Sequence, residues 1–169
     1  MVVQLTRVRR LAAAALAAVA CTAGVAVADA PTPPGDVKLL FADPVFVLSI
    51  PAGGGAWTLW SGEVQGVAWL AVSAPRAEKV GGSQCRRSSR PLTVCMWGSF
   101  GRAGVVTGRV TTRVASVAVF DGKGRRLRSA RRGNAYLAVA AVGPSRYTIV
   151  ARDRHGDVVG RVVRYDGAP

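Results

Sequence analysis

Histidine occurs once in 169 residues, cysteine three times, and acidic residues nine times against 23 lysines and arginines. These shortages narrow the chemistry first. An enzyme needs a base, a nucleophile or a metal held together, and the one imidazole, His155, falls between Arg154 and Gly156 in a segment that reads as a solvated hairpin tip. No G-x-S-x-G elbow is present, and GGSQC and WGSFG lack the strand-to-helix context such an elbow requires. Asp153, His155 and Asp157 stand in a D-x-H-x-D spacing, but a turn at Gly156 accounts for both aspartates without a metal. No glycine-rich loop precedes a helix, so a nucleotide-phosphate cradle has no support. Asp36, Asp43, Asp121, Asp153, Asp157 and Asp166 all fall in turn or tail contexts, which leaves paired-carboxylate hydrolysis, or inhibition of another enzyme, as minority readings. The expectation is a non-enzymatic protein with no cofactor and no metal site.

Negative charge is absent altogether from the first 28 residues. MVVQLTRVRR carries Arg7, Arg9 and Arg10, and LAAAALAAVACTAGVAVA then runs uncharged to the small-residue triplet Ala26-Val27-Ala28. A basic start, an apolar core and an A-x-A site describe a secretory signal peptide over 1–28. The apolar run of about 18 residues is also long enough for an anchor if it is not cleaved. Ala18-Val19-Ala20-Cys21 resembles a lipobox, which would lipidate Cys21, although the apolar segment continues past that cysteine. Arg9-Arg10 lacks the rest of a twin-arginine pattern. A Pro-rich arm over 29–36 and one domain over 37–169 follow. The expected location is secreted or envelope-associated, with membrane contact only if the signal is retained or Cys21 is lipidated.

Beyond the signal, helical periodicity is missing. Short runs rich in Val, Ala, Trp and Leu recur between Gly, Pro, Asp and Asn. They predict strands over 37–41, 45–50, 57–60, 64–73, 94–100, 105–110, 114–120, 125–130, 135–141, 147–152 and 158–165. PAGGGA and SAPRAEKVGGSQ read as breaks. Asp121-Gly-Lys-Gly124 and Asp153-Arg-His-Gly156 are one device used twice: the Asp side chain bonds backbone two residues on, and Gly takes the left-handed position. With turns at Arg132-Gly-Asn134 and Gly143-Pro-Ser145, the segment 114–165 reads as an antiparallel meander of four or five strands. The fold class expected is all-β, an antiparallel β-sandwich.

Within 104–163, VVTGRVTTRVASVAVFDGKGRRL, GNAYLAVA and SRYTIVARDRHGDVVGRVV resemble immunoglobulin-like β-sandwich modules of exported actinobacterial proteins. The shared pattern is G-x-V before V-x-V-x-x-D-x-x-G, a short aromatic strand, then V-x-A-x-D-x-x-G-x-V-V. The resemblance implies an Ig-like sandwich and brings no catalytic residues.

With Cys21 removed alongside the signal, Cys85 and Cys95 remain as an even pair in an oxidising compartment. A disulfide there would close a loop of about ten residues and contribute about 2–3 kcal/mol through chain entropy. Trp57, Trp60, Trp69 and Trp97 could line a ligand face, but filling a core is the commoner use of such rings. Trp57 and Trp60 are three apart and point to opposite faces of a regular strand, so one of them is half-exposed or covered by the N-terminal arm.

What the chain has in excess is arginine. Lys123, Arg125, Arg126, Arg128, Arg131 and Arg132 fall within ten residues that contain no carboxylate, with Arg102, Arg109 and Arg113 before them. Arg126 and Arg128 should share one face, opposite Leu127. Arginine forks onto phosphate or carboxylate, so the hairpin is a candidate anion-binding surface for an anionic cell-envelope polymer or an acidic protein. Two bland readings stand beside it: a GC-rich coding bias, and a charged edge that discourages strand-to-strand aggregation. Specific nucleic-acid binding is not expected: such modules usually add an exposed stacking aromatic and a fold signature, only Tyr136 lies near the basic run, and export separates the chain from intracellular nucleic acid. Oligomeric state is not indicated.

Overall fold

The structure is a computed structural model that describes residues 30–52, 54–75, 80–141, 143 and 146–165. The expected signal peptide, Cys21, Asp166 and most of the Gly143-Pro-Ser145 turn lie outside these residues. Among the described residues one helix, α1 (Gly35–Leu40), precedes eleven strands: β1 (Val45–Pro51), β2 (Ala56–Val64), β3 (Val67–Ser73), β4 (Val80–Gln84), β5 (Leu92–Phe100), β6 (Ala103–Val110), β7 (Ser116–Asp121), β8 (Arg128–Arg132), β9 (Ala135–Ala140), β10 (Arg146–Arg152) and β11 (Val158–Tyr165). They form three antiparallel sheets ordered β1-β2-β3-β4, β5-β6-β9-β8 and β11-β10-β7. The chain is all-β, as expected.

The stacking of the sheets follows from β9. AYLAVA is buried at every position, and a strand can be apolar on both faces only if both are covered. Ala135, Leu137 and Val139 pack with Leu48, Ile50, Trp57, Leu59, Leu70 and Val72 of the first sheet. Tyr136 and Ala138, on the other face, pack with Val117, Val119, Tyr147, Ile149 and Ala151 of the third. The sheet β5-β6-β9-β8 is therefore the middle layer of three, and each of its faces belongs to a different core.

This layering overturns the meander expected over 114–165. Arg126 bridges Phe120, and the Leu127 N–H donates to the Val119 carbonyl at 2.8 Å, so the chain leaves β7 still paired with it. From Arg128 onward it pairs instead with β9 in the middle sheet, while β7 takes β10 as its partner. A meander would have left one apolar face of β9 to water.

Three segments also differ in kind from expectation. Residues 37–41 do not form a strand: the Pro34 carbonyl accepts from Val37 and Lys38 N–H, which opens α1. Val37 and Phe41 then share one helix face with Leu40 and cover Trp60 and Ala71 on the outside of the first sheet. The run 64–73 is broken by a two-residue turn in which Gln65 and Gly66 both take positive φ (52° and 73°). Within the expected break before Cys85, residues 80–84 are β4, whose glycines are sites of close approach. A Cβ on Gly81 would collide with the Phe100 ring, and one on Gly82 would come within 2.8 Å of Leu40.

Trp57 and Trp60 do face opposite ways. Trp57 enters the core between the first two sheets, and Trp60 lies beneath α1 with its indole N–H donating to Ser73 Oγ at 3.0 Å.

Candidate functional site

The basic segment starts at a turn that one carboxylate organises. Asp121 Oδ1 accepts from the backbone N–H groups of Lys123 (2.9 Å) and Arg125 (2.8 Å), and Gly124 supplies the left-handed residue with φ 76°. Asp153 repeats the pattern, accepting from His155 at 2.9 Å and Asp157 at 3.1 Å, with Gly156 at φ 89°. Asp121 adds an ion pair, Oδ2 to Arg125 Nε at 2.7 Å. Desolvation alone lifts its carboxyl. The bonds from Arg125 backbone and side chain and from Lys123 backbone together outweigh that and hold it below the ordinary carboxylate range. His155, in the second turn, is exposed, and its Nε2 accepts from Arg154 Nε at 3.2 Å.

All six cations singled out in the sequence are exposed, yet they do not form one cluster. Arg125 is engaged with Asp121. Arg128 and Arg132 lie on the face of β8 that carries Ala130, and turn toward the first sheet. Arg128 Nη1 donates to the Pro51 carbonyl at 2.7 Å and Arg132 Nη1 to the Val47 carbonyl at 3.3 Å. The Arg132 guanidinium also sits 5.8 Å from the centroid of the Phe46 ring. Val47 is the bulged residue of β1, itself an edge strand. The two arginines therefore close the seam between two sheet edges by satisfying carbonyls that no ladder reaches.

Lys123, Arg126 and Arg131 point to solvent. Leu127 is half-buried against the core between the middle and third sheets, opposite to its neighbours as alternation requires. Arg125, Arg126 and Arg128 border a cavity of about 500 Å³ whose floor includes Val139 and Ala140.

The basic surface continues where sequence reading did not follow it. Phe120, Thr148 and Val150 are the outward residues of the third sheet, half-buried among one another, with Phe120 opposite Thr148 and Ala118 opposite Val150. Arg146 and Arg152 end the same face of β10, and Arg161 stands opposite Val150. With Gly122 and Gly124 of the turn they line a second cavity, of about 410 Å³. The signal was present as the period-two alternation of Arg146, Thr148, Val150 and Arg152, but that pattern identifies a face only once the inner one is known.

Arg109, grouped with the hairpin from sequence, lies with the loop closed by the disulfide. Cys85 and Cys95 are bonded, with a Cα–Cα separation of 5.2 Å. Arg109 Nε donates to the Cys85 carbonyl at 2.9 Å and Nη1 to Asn134 Oδ1 at 3.2 Å. Burial, and then the charge of Arg87, push this guanidinium below its ordinary value.

No family model matches the chain, and neither a curated protein nor a solved structure is similar to it.

Proposed function

We propose that this is an exported, non-enzymatic binding protein that holds an anionic cell-envelope polymer on its basic face. The observation that carries the reading is the continuity of charge from Lys123 and Arg126 at the hairpin turn to Arg146, Arg152 and Arg161. Arg146, Arg152 and Arg161, with Asp121, Gly122 and Gly124 of the turn, line a partly apolar cavity on the third sheet, and Lys123 and Arg126 stand exposed on the same hairpin. A row of cations along a groove suits a repeating anion better than a compact ligand, because each repeat meets another positive charge. The stem MVVQLTRVRRLAAAALAAVACTAGVAVA supports export. For residues 92–165 we propose an Ig-like module. The order β5-β6-β9-β8 over β7-β10-β11 matches the A-B-E-D and C-F-G sheets of constant-type immunoglobulin domains.

A second reading, a structural accessory domain with no dedicated ligand, is favoured by the roles of Arg125, Arg128 and Arg132. Each is engaged within the fold, which explains much of the charge run without a partner.

Retention of the mature protein on purified cell envelope across a salt series separates the two. The comparison variant carries Lys123→Ser, Arg126→Ser, Arg131→Ser and Arg161→Ser, and leaves the three engaged arginines in place. The binding reading requires retention that falls steeply with salt, since exposed charges are screened beyond about 8 Å at physiological ionic strength. It also requires at least about tenfold weaker retention of the variant, or 1.4 kcal/mol. Equal retention of both proteins favours the structural domain.

A further inference from the structure

On a different edge of the molecule, three arginines converge. Arg87, Arg90 and Arg109 line a cavity of about 380 Å³ together with the hydroxyl residues Ser88, Thr111 and Thr112, and among the described residues no carboxylate lines it. Arg109 is fixed from below by the Cys85 carbonyl and Asn134 Oδ1. Those two bonds use two of its five N–H donors, so others remain for a ligand. The loop opposite is anchored at several points. Cys85 N–H donates to the Ala68 carbonyl at 2.8 Å, the disulfide ties Cys85 to Cys95, and the Thr111 N–H donates to the Pro91 carbonyl at 3.2 Å. Within the loop the Arg90 N–H donates to Ser88 Oγ at 3.1 Å.

Like charges held near one another by a rigid frame destabilise the folded state unless an anion joins them. Burial first, and the charge of Arg87 second, hold the Arg109 guanidinium below its ordinary value, so the two cations lie within reach of one another. Guanidinium forks match the paired oxygens of a phosphate, and hydroxyls add donors to the oxygens that remain.

We propose that Arg87, Arg90 and Arg109 form a binding site for a single phosphate group, free or esterified, on the platform held by the Cys85–Cys95 disulfide. The site shares none of the six hairpin cations, so it stands or falls separately from the polymer-binding face.

Calorimetric titration of the disulfide-bonded protein at low ionic strength tests it, with inorganic phosphate in one arm and dimethyl phosphate in the other. Saturable binding of phosphate at millimolar concentration is expected. Arg87→Ser with Arg90→Ser, both on the exposed loop, should weaken it at least about tenfold, and Lys123→Ser with Arg126→Ser should leave it unchanged. Binding of both probes identifies the diester of a polymer as an acceptable source. Binding of inorganic phosphate alone identifies a free ion or monoester. Absence of heat with either probe overturns the proposal. So does undiminished binding in the loop variant, or an equal loss in the hairpin variant, which would reduce the effect to net charge.

Discussion

Asp121 and Asp153 build the same turn in different surroundings, one buried and the other partly exposed. Both were legible in the sequence because the device is local: an acceptor, two backbone donors and a glycine within five residues. Asp121 titrates below the ordinary carboxylate value near 3.9. The stability it contributes is therefore present in full above about pH 4 and lost as pH falls through its lowered folded value. Thermal unfolding measured from pH 6 down to pH 2 should show this acid-side loss in the wild type. Asp121→Asn should be less stable near neutrality and show a shallower acid-side fall, whereas a wild-type slope in the variant would remove Asp121 from the cause. Glycines at points of close approach were not legible, because what they admit comes from far along the chain. Gly108 is the clearest: a Cβ there would run into the Thr93 carbonyl and come within 2.7 Å of the Tyr136 hydroxyl. Backbone cannot yield as a flexible side chain can, so Gly108→Ala is expected to destabilise by about 1–3 kcal/mol or more in urea denaturation.

Elements were legible where one face repeats and illegible where the partner decides. Strands β1, β2, β6, β7, β10 and β11 all overlap runs that alternation predicted. Residues 37–41 alternate well enough for a strand, yet the apolar side chains that matter, Val37, Leu40 and Phe41, are three and four apart and suit a helix lying on a sheet. Leu39, out of phase with them, is 87% exposed. The glycine pair in β4 hid a strand because its side-chain contacts come from Phe100 and Leu40 instead of its own residues. Phe41 seals the outside of the first sheet over Trp60, and its ring fits against Gly62. Phe41→Ala should cost about 3–5 kcal/mol and shift tryptophan emission to longer wavelength as Trp60 meets water. Unchanged emission would mean that α1 does not shield the indole.

For the whole molecule, sequence pattern indicated antiparallel sheets but not their number, because alternation marks an inner face without saying which sheet closes on it. β9 carried the missing information: six consecutive buried residues can only be a strand between two cores. Since Leu137 and Val139 serve one core and Tyr136 and Ala138 the other, neither core can dissolve without baring a face of the same strand. The two halves should unfold together. Differential scanning calorimetry is expected to show one transition with calorimetric and van't Hoff enthalpies in agreement, and two resolved transitions would show that the shared sheet does not couple them.

The position of that shared strand also sets a timetable for the nascent chain. The ribosome delivers the first sheet complete with its helical cover, but the opposite surface, formed by Leu48, Ile50, Trp57, Leu59, Leu70 and Val72, has only Cys85 and the partly buried Cys95, Met96, Phe100 and Ala103 to meet before Val105, and then Leu137 and Val139, complete its cover. Until Val139 is made the polypeptide carries an incompletely covered apolar slab, the kind of surface that holdase chaperones recognise and that aggregates when they are scarce. A ribosome stalled anywhere in that window would release a product with half a core and no means of burying it.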